Sequence, residues 1–137
     1  MIRKVQVIVY TLTPKVAVLL LRRGPERDHI WQTVTGSLEP DDEGFAEGAR
    51  RELLEETGIE TAANIIEIGL EFRFKKKNEC IVERVIGVEL TGRVPVRLSE
   101  EHVEYAWLGE AEALERLYWS TNKEGVRQVL NAALRNT

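Results

Sequence analysis

Val5, Val7 and Val9 alternate with Gln6 and Ile8 in a β-branched stretch, which predicts a strand from Arg3 to Leu12. Thr13-Pro14-Lys15 reads as a turn. Val16 to Leu21 is then an unbroken apolar run of strand length, the pattern of a strand covered on both sides. Arg22-Arg23-Gly24-Pro25 ends it, and loop follows to Asp28. Ile30 to Thr35 reads as a short extended piece stopped by Gly36, and Glu39-Pro40-Asp41-Asp42 as a polar loop.

From Glu43 the period changes. Phe45, Ala46, Ala49, Leu53 and Leu54 recur at helical spacing up to Thr57, with Gly58 placed as a left-handed C-terminal cap. Ile65–Phe74 and Ile81–Leu90 are strand-like and are joined by Lys75-Lys76-Lys77-Asn78, a hairpin tip. Tyr105–Leu108 is a short strand. Ala111–Leu117 and Lys123–Leu134 have helical periodicity, with Thr121 or Asn122 as N-cap of the second. Strands on both sides of a central helix, with helices at the end, predict an α/β (α+β) fold: a mixed β-sheet in an α/β/α sandwich.

The length of 137 residues fits one domain, 1–137, able to bury a core of its own. The chain is 43% hydrophobic and 31% charged, ordinary for a globular protein, with a net charge of −4. An acidic balance disfavours a nucleic-acid backbone as partner, but not a small phosphorylated molecule whose charge is offset by metal ions. The lone Cys80 forms no intrachain disulfide and reads as a small buried residue. Met1-Ile-Arg-Lys leads straight into the first strand, and no apolar run approaches the length of a membrane span. A cytoplasmic protein without a membrane partner, monomer or homodimer, is expected.

The helix carries the candidate chemistry. Residues advance by about 100° each, so Glu52, Glu55 and Glu56 share one sector beside the apolar stripe of Phe45, Ala46, Ala49 and Leu53. Like charges at these spacings repel, and the C-terminal half of a helix disfavours anions. Divalent cations would relieve both, since Mg²⁺ prefers oxygen ligands and joins carboxylates to phosphates. A solvated face, with Arg51 paired to Glu55 and Glu47 to Arg51, is the other reading.

The residues around these carry a resemblance that bears on the choice. Gly36, Glu43 and then Arg51-Glu52-Leu53-Leu54-Glu55-Glu56-Thr57-Gly58-Ile59 resemble the Nudix box: a glycine, five residues, a glutamate, seven residues, then Arg-Glu-aliphatic-x-Glu-Glu-x-Gly-aliphatic. One extra residue lies between Gly36 and Glu43, and register with Arg51 selects Glu43 over Asp42. The resemblance implies a Nudix-like α/β/α sandwich and hydrolysis of a nucleoside diphosphate linked to a further group. By position, Glu52, Glu55 and Glu56 resemble the metal-binding glutamates, and Arg51 the arginine that holds a glutamate. Gly36 resembles the glycine whose carbonyl reaches a metal, and Glu43 the outer glutamate of the loop–helix turn.

Trp31-Gln32-Thr33-Val34-Thr35-Gly36-Ser37, Glu101-His102-Val103-Glu104-Tyr105-Ala106-Trp107-Leu108 and Trp119-Ser120-Thr121-Asn122 further resemble the branch of dihydroneopterin triphosphate pyrophosphatases, also labelled dATP pyrophosphohydrolases. In that branch a glutamate before the last short strand assists the metal site, and Glu101 matches it. The implied activity is Mg²⁺-dependent pyrophosphohydrolysis, with Mn²⁺ as a substitute, of dihydroneopterin triphosphate or a dATP-like nucleotide. Oxidised dGTP, ADP-ribose and dinucleoside polyphosphates are alternative substrates, and a non-catalytic nucleotide sensor is an alternative role.

Arg22 and Arg23 could face phosphates or form a solvated strand end. Trp31 and Trp119 could stack on a base or pterin ring, or serve packing. His102 fits a proton shuttle or a structural histidine. Gly48 costs the helix about 1 kcal/mol against alanine, and close packing is the only reason the sequence offers for it.

Overall fold

The computed structural model describes residues 1–135. In chain order it contains β1 (Ile2–Thr11), β2 (Ala17–Arg23), a 3₁₀ turn (Pro25–Arg27), β3 (Trp31–Gln32), β4 (Val34–Ser37) and α1 (Phe45–Thr57). Then follow β5 (Asn64–Lys76), β6 (Glu79–Leu90), β7 (His102–Leu108), α2 (Glu110–Arg116) and α3 (Ser120–Arg135). One sheet runs β3-β2-β1-β6-β5, with β4 also on β1 and β7 also on β2. The β1–β6 pair is parallel and the other pairs are antiparallel, so the sheet is mixed.

Alternation along β1 builds the two layers. Val5, Val7 and Val9 join Leu19, Leu21, Val34, Ile86 and Val88 under Ala49 and Leu53 of α1. Ile8 and Tyr10 join Val18, Leu20 and Val85 under Val126, Val129 and Leu130 of α3. Both faces of β1 and β2 are therefore covered, which is why Val16 to Leu21 shows no alternation. Each fully buried aliphatic side chain contributes roughly 1.5–3 kcal/mol.

Several boundaries differ from the sequence expectation. Ile30–Thr35 is divided: β3 pairs with β2, β4 pairs with β1, and Gly36 lies inside β4 rather than ending a strand. α1 starts at Phe45, after Gly44, and Glu43 stays outside it, donating its backbone N–H to Glu47 Oε2. At the other end Gly58 caps the helix at φ 73°, its N–H donated to Leu54 O. The β5–β6 tip is only Lys77-Asn78, both at positive φ, as a two-residue hairpin turn requires. Cys80 is exposed, not buried, because it sits beside that tip. α3 begins at Ser120: the Trp119 carbonyl accepts from the N–H groups of Asn122 and Lys123, so Thr121 and Asn122 lie in the first turn and do not cap it. Among the described residues no helix is long and apolar enough to cross a membrane.

Candidate active site

The C-terminal half of α1 faces the Gly36 end of β4 and the start of β7. Glu52 and Glu56 are each only 8% exposed, whereas half of the Glu55 side chain meets solvent. Glu52 lies directly against Gly36: a Cβ at that position would fall on its carboxyl carbon. This is a packing reason for a glycine in the middle of a strand. Gly48 is explained in the same way. A Cβ there would sit 3.1 Å from Leu38 Cδ1 and 3.4 Å from Asp42 Oδ2, so its absence lets the preceding loop close onto the helix.

Arg51 organises that loop. Its guanidinium donates to Ser37 O at 2.9 Å and contacts Glu39 at 3.2 Å, Glu52 at 3.1 Å and Glu55 at 3.1 Å. Its densest contact is Asp42, met through both Nε and Nη2, the latter at 2.9 Å. These hydrogen bonds hold the Asp42 carboxyl below its usual value and raise Arg51 further. The sequence aligns Glu43 with the outer glutamate of the loop–helix turn; the acid that holds Arg51 there is its neighbour Asp42, which stands at the box spacing from Gly36. The expected Arg51–Glu55 pair is present, while Glu47 turns back to Glu43.

The buried carboxylates have unlike environments. Burial pushes Glu52 up to about 7; Arg51 opposes this, and the negative charges of Glu55 and Glu56 add to it. A divalent cation nearby would reverse that balance. Glu56 is held below its usual value, chiefly by His102 and then by Ser99, against its burial. Ser99 Oγ donates to Glu56 Oε2 at 2.7 Å, and the Glu101 backbone N–H donates to Ser99 Oγ. Potential ligand atoms of Glu56, Glu101 and His102 all lie within 4.8 Å of one another. This oxygen-rich set, beside a Glu52 that burial leaves reluctant to ionise, fits a hard divalent cation.

The two arginines of β2 part company. Arg22 donates to His29 O at 3.0 Å and Glu104 at 3.1 Å, and stacks over Trp31 at 5.7 Å. It is committed to structure. Arg23 continues the alternation of Leu19 and Leu21 onto the α1 face, and its Nε is buried without a partner. Trp31 packs against the α3-side core, with Arg116 on its ring at 5.6 Å. Trp119 is 49% exposed and stands edge-on to Tyr118 at 4.8 Å. Residue reasoning missed Gln32 and Ser99 altogether, and weighed Asp42 only to set it aside for Glu43. His102 was open between two roles, and it is buried between Gln32 and Glu56. Only its position next to Glu101 hinted at this.

A family model of the NUDIX domain matches residues 2–129. The chain is 34% identical over 119 residues to an octanoyltransferase of Myxococcus xanthus, a match that covers 84% of this chain but only 32% of that protein. It is 35% identical over 100 residues to the asymmetrical bis(5'-nucleosyl)-tetraphosphatase of Rattus norvegicus, covering 70% of this chain and 67% of that one. The solved structure of the E. coli dihydroneopterin triphosphate pyrophosphohydrolase superposes with a TM-score of 0.79 at 25% identity, covering 92% of each chain. As the family model spans nearly the whole chain, the chain belongs to the Nudix family of pyrophosphate-bond hydrolases.

Proposed function

We propose that this chain is a Mg²⁺-dependent pyrophosphohydrolase of a nucleoside-triphosphate-like substrate, dihydroneopterin triphosphate or a dATP-like nucleotide, releasing pyrophosphate and a monophosphate. The observation that carries the reading is the packing of Glu52 and Glu56 on α1, with Glu101 brought from the loop before β7 to within ligand distance of Glu56. Glu52, Glu56 and Glu101 would hold the cation, with Glu55 at the solvent side and Gly36 against Glu52. When bound, the cation offsets the charge of the pyrophosphate and activates water for in-line attack.

The chain's own groups do the rest. One carboxylate of the set accepts the proton of the attacking water, whose oxygen bonds to phosphorus as the bridging P–O bond breaks. Arg51 fixes Glu52 and the Ser37–Asp42 loop. Arg23, unpartnered on this face, is the guanidinium available to a phosphate; Arg22 is engaged elsewhere. The exposed Trp119 offers a ring face for a base or pterin, while Trp31 serves packing.

A second substrate reading, a dinucleoside polyphosphate, is favoured by the likeness to the rat tetraphosphatase. A panel of nucleoside triphosphates, dihydroneopterin triphosphate, diadenosine tetraphosphate, oxidised dGTP and ADP-ribose, in millimolar Mg²⁺, separates the two. Pyrophosphate release from the triphosphates supports the first. Paired mono- and triphosphate products from the tetraphosphate support the second. Binding without hydrolysis of any of them rejects both in favour of a sensor.

A further inference from the structure

His102 reaches α1 through an irregularity in β7. From Leu108 back to Glu104, residues pair one for one with Val18 to Arg22 of β2. Continued alternation would put His102 on the face of Glu104, which meets Arg22 on the side away from α1. Instead the register jumps, with Arg22 opposite Glu104 and Arg23 opposite His102. Val103 is left over as a bulge and is 56% exposed. One extra residue reverses the alternation, which is how bulges re-aim side chains. The imidazole thereby lands beside Glu56 with only 3% of its surface exposed.

Its two nitrogens have different neighbours. Nε2 lies 3.1 Å from Gln32 Nε2, and Nδ1 lies 3.1 Å from Glu56 Oε2. With the Gln32 amide donating to Nε2, the imidazole carries its proton on Nδ1, facing the carboxylate. The Nδ1 contact is close but bent out of good hydrogen-bond alignment, as such bonds often are before ligand arrives. Ser99 Oγ donates to the same Oε2. Both neighbours engage Oε2, so Glu56 is gripped by one oxygen and can present the other.

We propose that His102, seated by Gln32 and aimed by the Val103 bulge, is a positioning residue that orients Glu56 toward a divalent cation. The proposal rests on the cation-dependent reading above. Partners that grip metal-binding carboxylates typically contribute 10–100-fold in metal affinity or activity. The rival arrangement is His102 as a ligand itself, since Nδ1 belongs to the cluster of potential donor atoms.

The test uses Mn²⁺ as probe on the full chain. Mn²⁺ affinity, from the paramagnetic resonance of the free ion, is measured for the wild type and for His102→Ala, His102→Gln and His102→Asn, with thermal melts to confirm folding. Asparagine places an N–H close to that of Nδ1, whereas glutamine places one near Nε2. Alanine and glutamine are expected to weaken Mn²⁺ about 10–100-fold, and asparagine to recover most of the loss. Spin-echo spectra of the Mn²⁺-loaded wild type should lack the coupling of a directly bound imidazole nitrogen.

A directly bound nitrogen overturns the proposal in favour of the ligand role. So do unchanged affinity in His102→Ala and equal losses in alanine and asparagine. A wild type that binds no Mn²⁺ sinks the proposed function with it. A wild type that binds while His102→Ala binds equally sinks only the positioning role.

Discussion

The two faces of the sheet bury polar groups differently, although Asn122 Oδ1 of α3, like Arg23 Nε and His102 Nδ1 on the α1 side, has no hydrogen-bond partner. On the α3 face the prominent polar side chain is Gln6, and its amide is matched on both atoms. Nε2 donates to Glu83 Oε1 and to Thr121 O, and Oε1 accepts from Thr33 Oγ1. Gly125 leaves room for it, since a Cβ there would come within 2.6 Å of Gln6 Oε1. On the α1 face, Glu52 and Glu56 lie on the same helix with like charge, and Arg23 Nε and His102 Nδ1 lack well-formed bonds. Both faces carry a large apolar cluster, so stability does not call for the charges. Gln6 and its partners complete one another within the fold. A face whose groups repel is completed by something that binds.

The sharpest way to break this contrast is Glu56→Gln. His102 and Ser99 hold Glu56 below its usual value, so loss of its charge should lower the melting temperature modestly while the fold persists. Mg²⁺-dependent turnover should fall by about 10²-fold or more, the scale of a lost acid–base or metal-binding group. Steady-state hydrolysis and a melt on the same sample decide it. Wild-type turnover would remove Glu56 from the site.

The opposite behaviour is expected on the other face. Leu130 is fully buried among Ile8, Val126 and their neighbours. Leu130→Ala should cost about 2–5 kcal/mol of unfolding free energy, read from urea denaturation. Turnover per folded molecule should stay near the wild-type value below the transition. A loss of turnover as large as that of Glu56→Gln would mean that the faces are not separable.

How much of this could be read from the chain varied with the range of the interaction. The α1 carboxylates were legible because helical spacing alone puts them together, and the layers because Val5, Val7 and Val9 alternate with Gln6 and Ile8. Gly36 and Arg51 were legible as motif positions, but their reasons were not. Those reasons are a carboxyl group where a Cβ would stand, and a loop wrapped on a guanidinium. His102 escaped because a bulge inverts the face that alternation assigns to it, and a bulge leaves no mark in composition. Ser99 and Gln32 are distant in sequence from Glu56 and His102, and no local period links them. Asp42 was passed over because counting back from Arg51 gives no hint of which acid the folded loop brings to the guanidinium.

Asp42 also supplies the smallest effect, and one that separates the two acids at the loop–helix turn. Its side chain is 5% exposed and is gripped by Arg51, whereas Glu43 offers only its backbone N–H to Glu47. Asp42→Asn should therefore lower the melting temperature modestly and reduce turnover by loosening Arg51, while Glu43→Gln should change neither. The pH dependence has a definite sign. Arg51 holds the folded-state value of Asp42 below its ordinary 3.8, so the stabilisation is present in full above that value and fades as pH falls through the depressed one. The melting gap between wild type and Asp42→Asn should be level from about pH 7 to 5 and close below about pH 4. A gap that instead widened in acid, or an equal loss in Glu43→Gln, would mean that Asp42 does not hold Arg51 as its contacts imply.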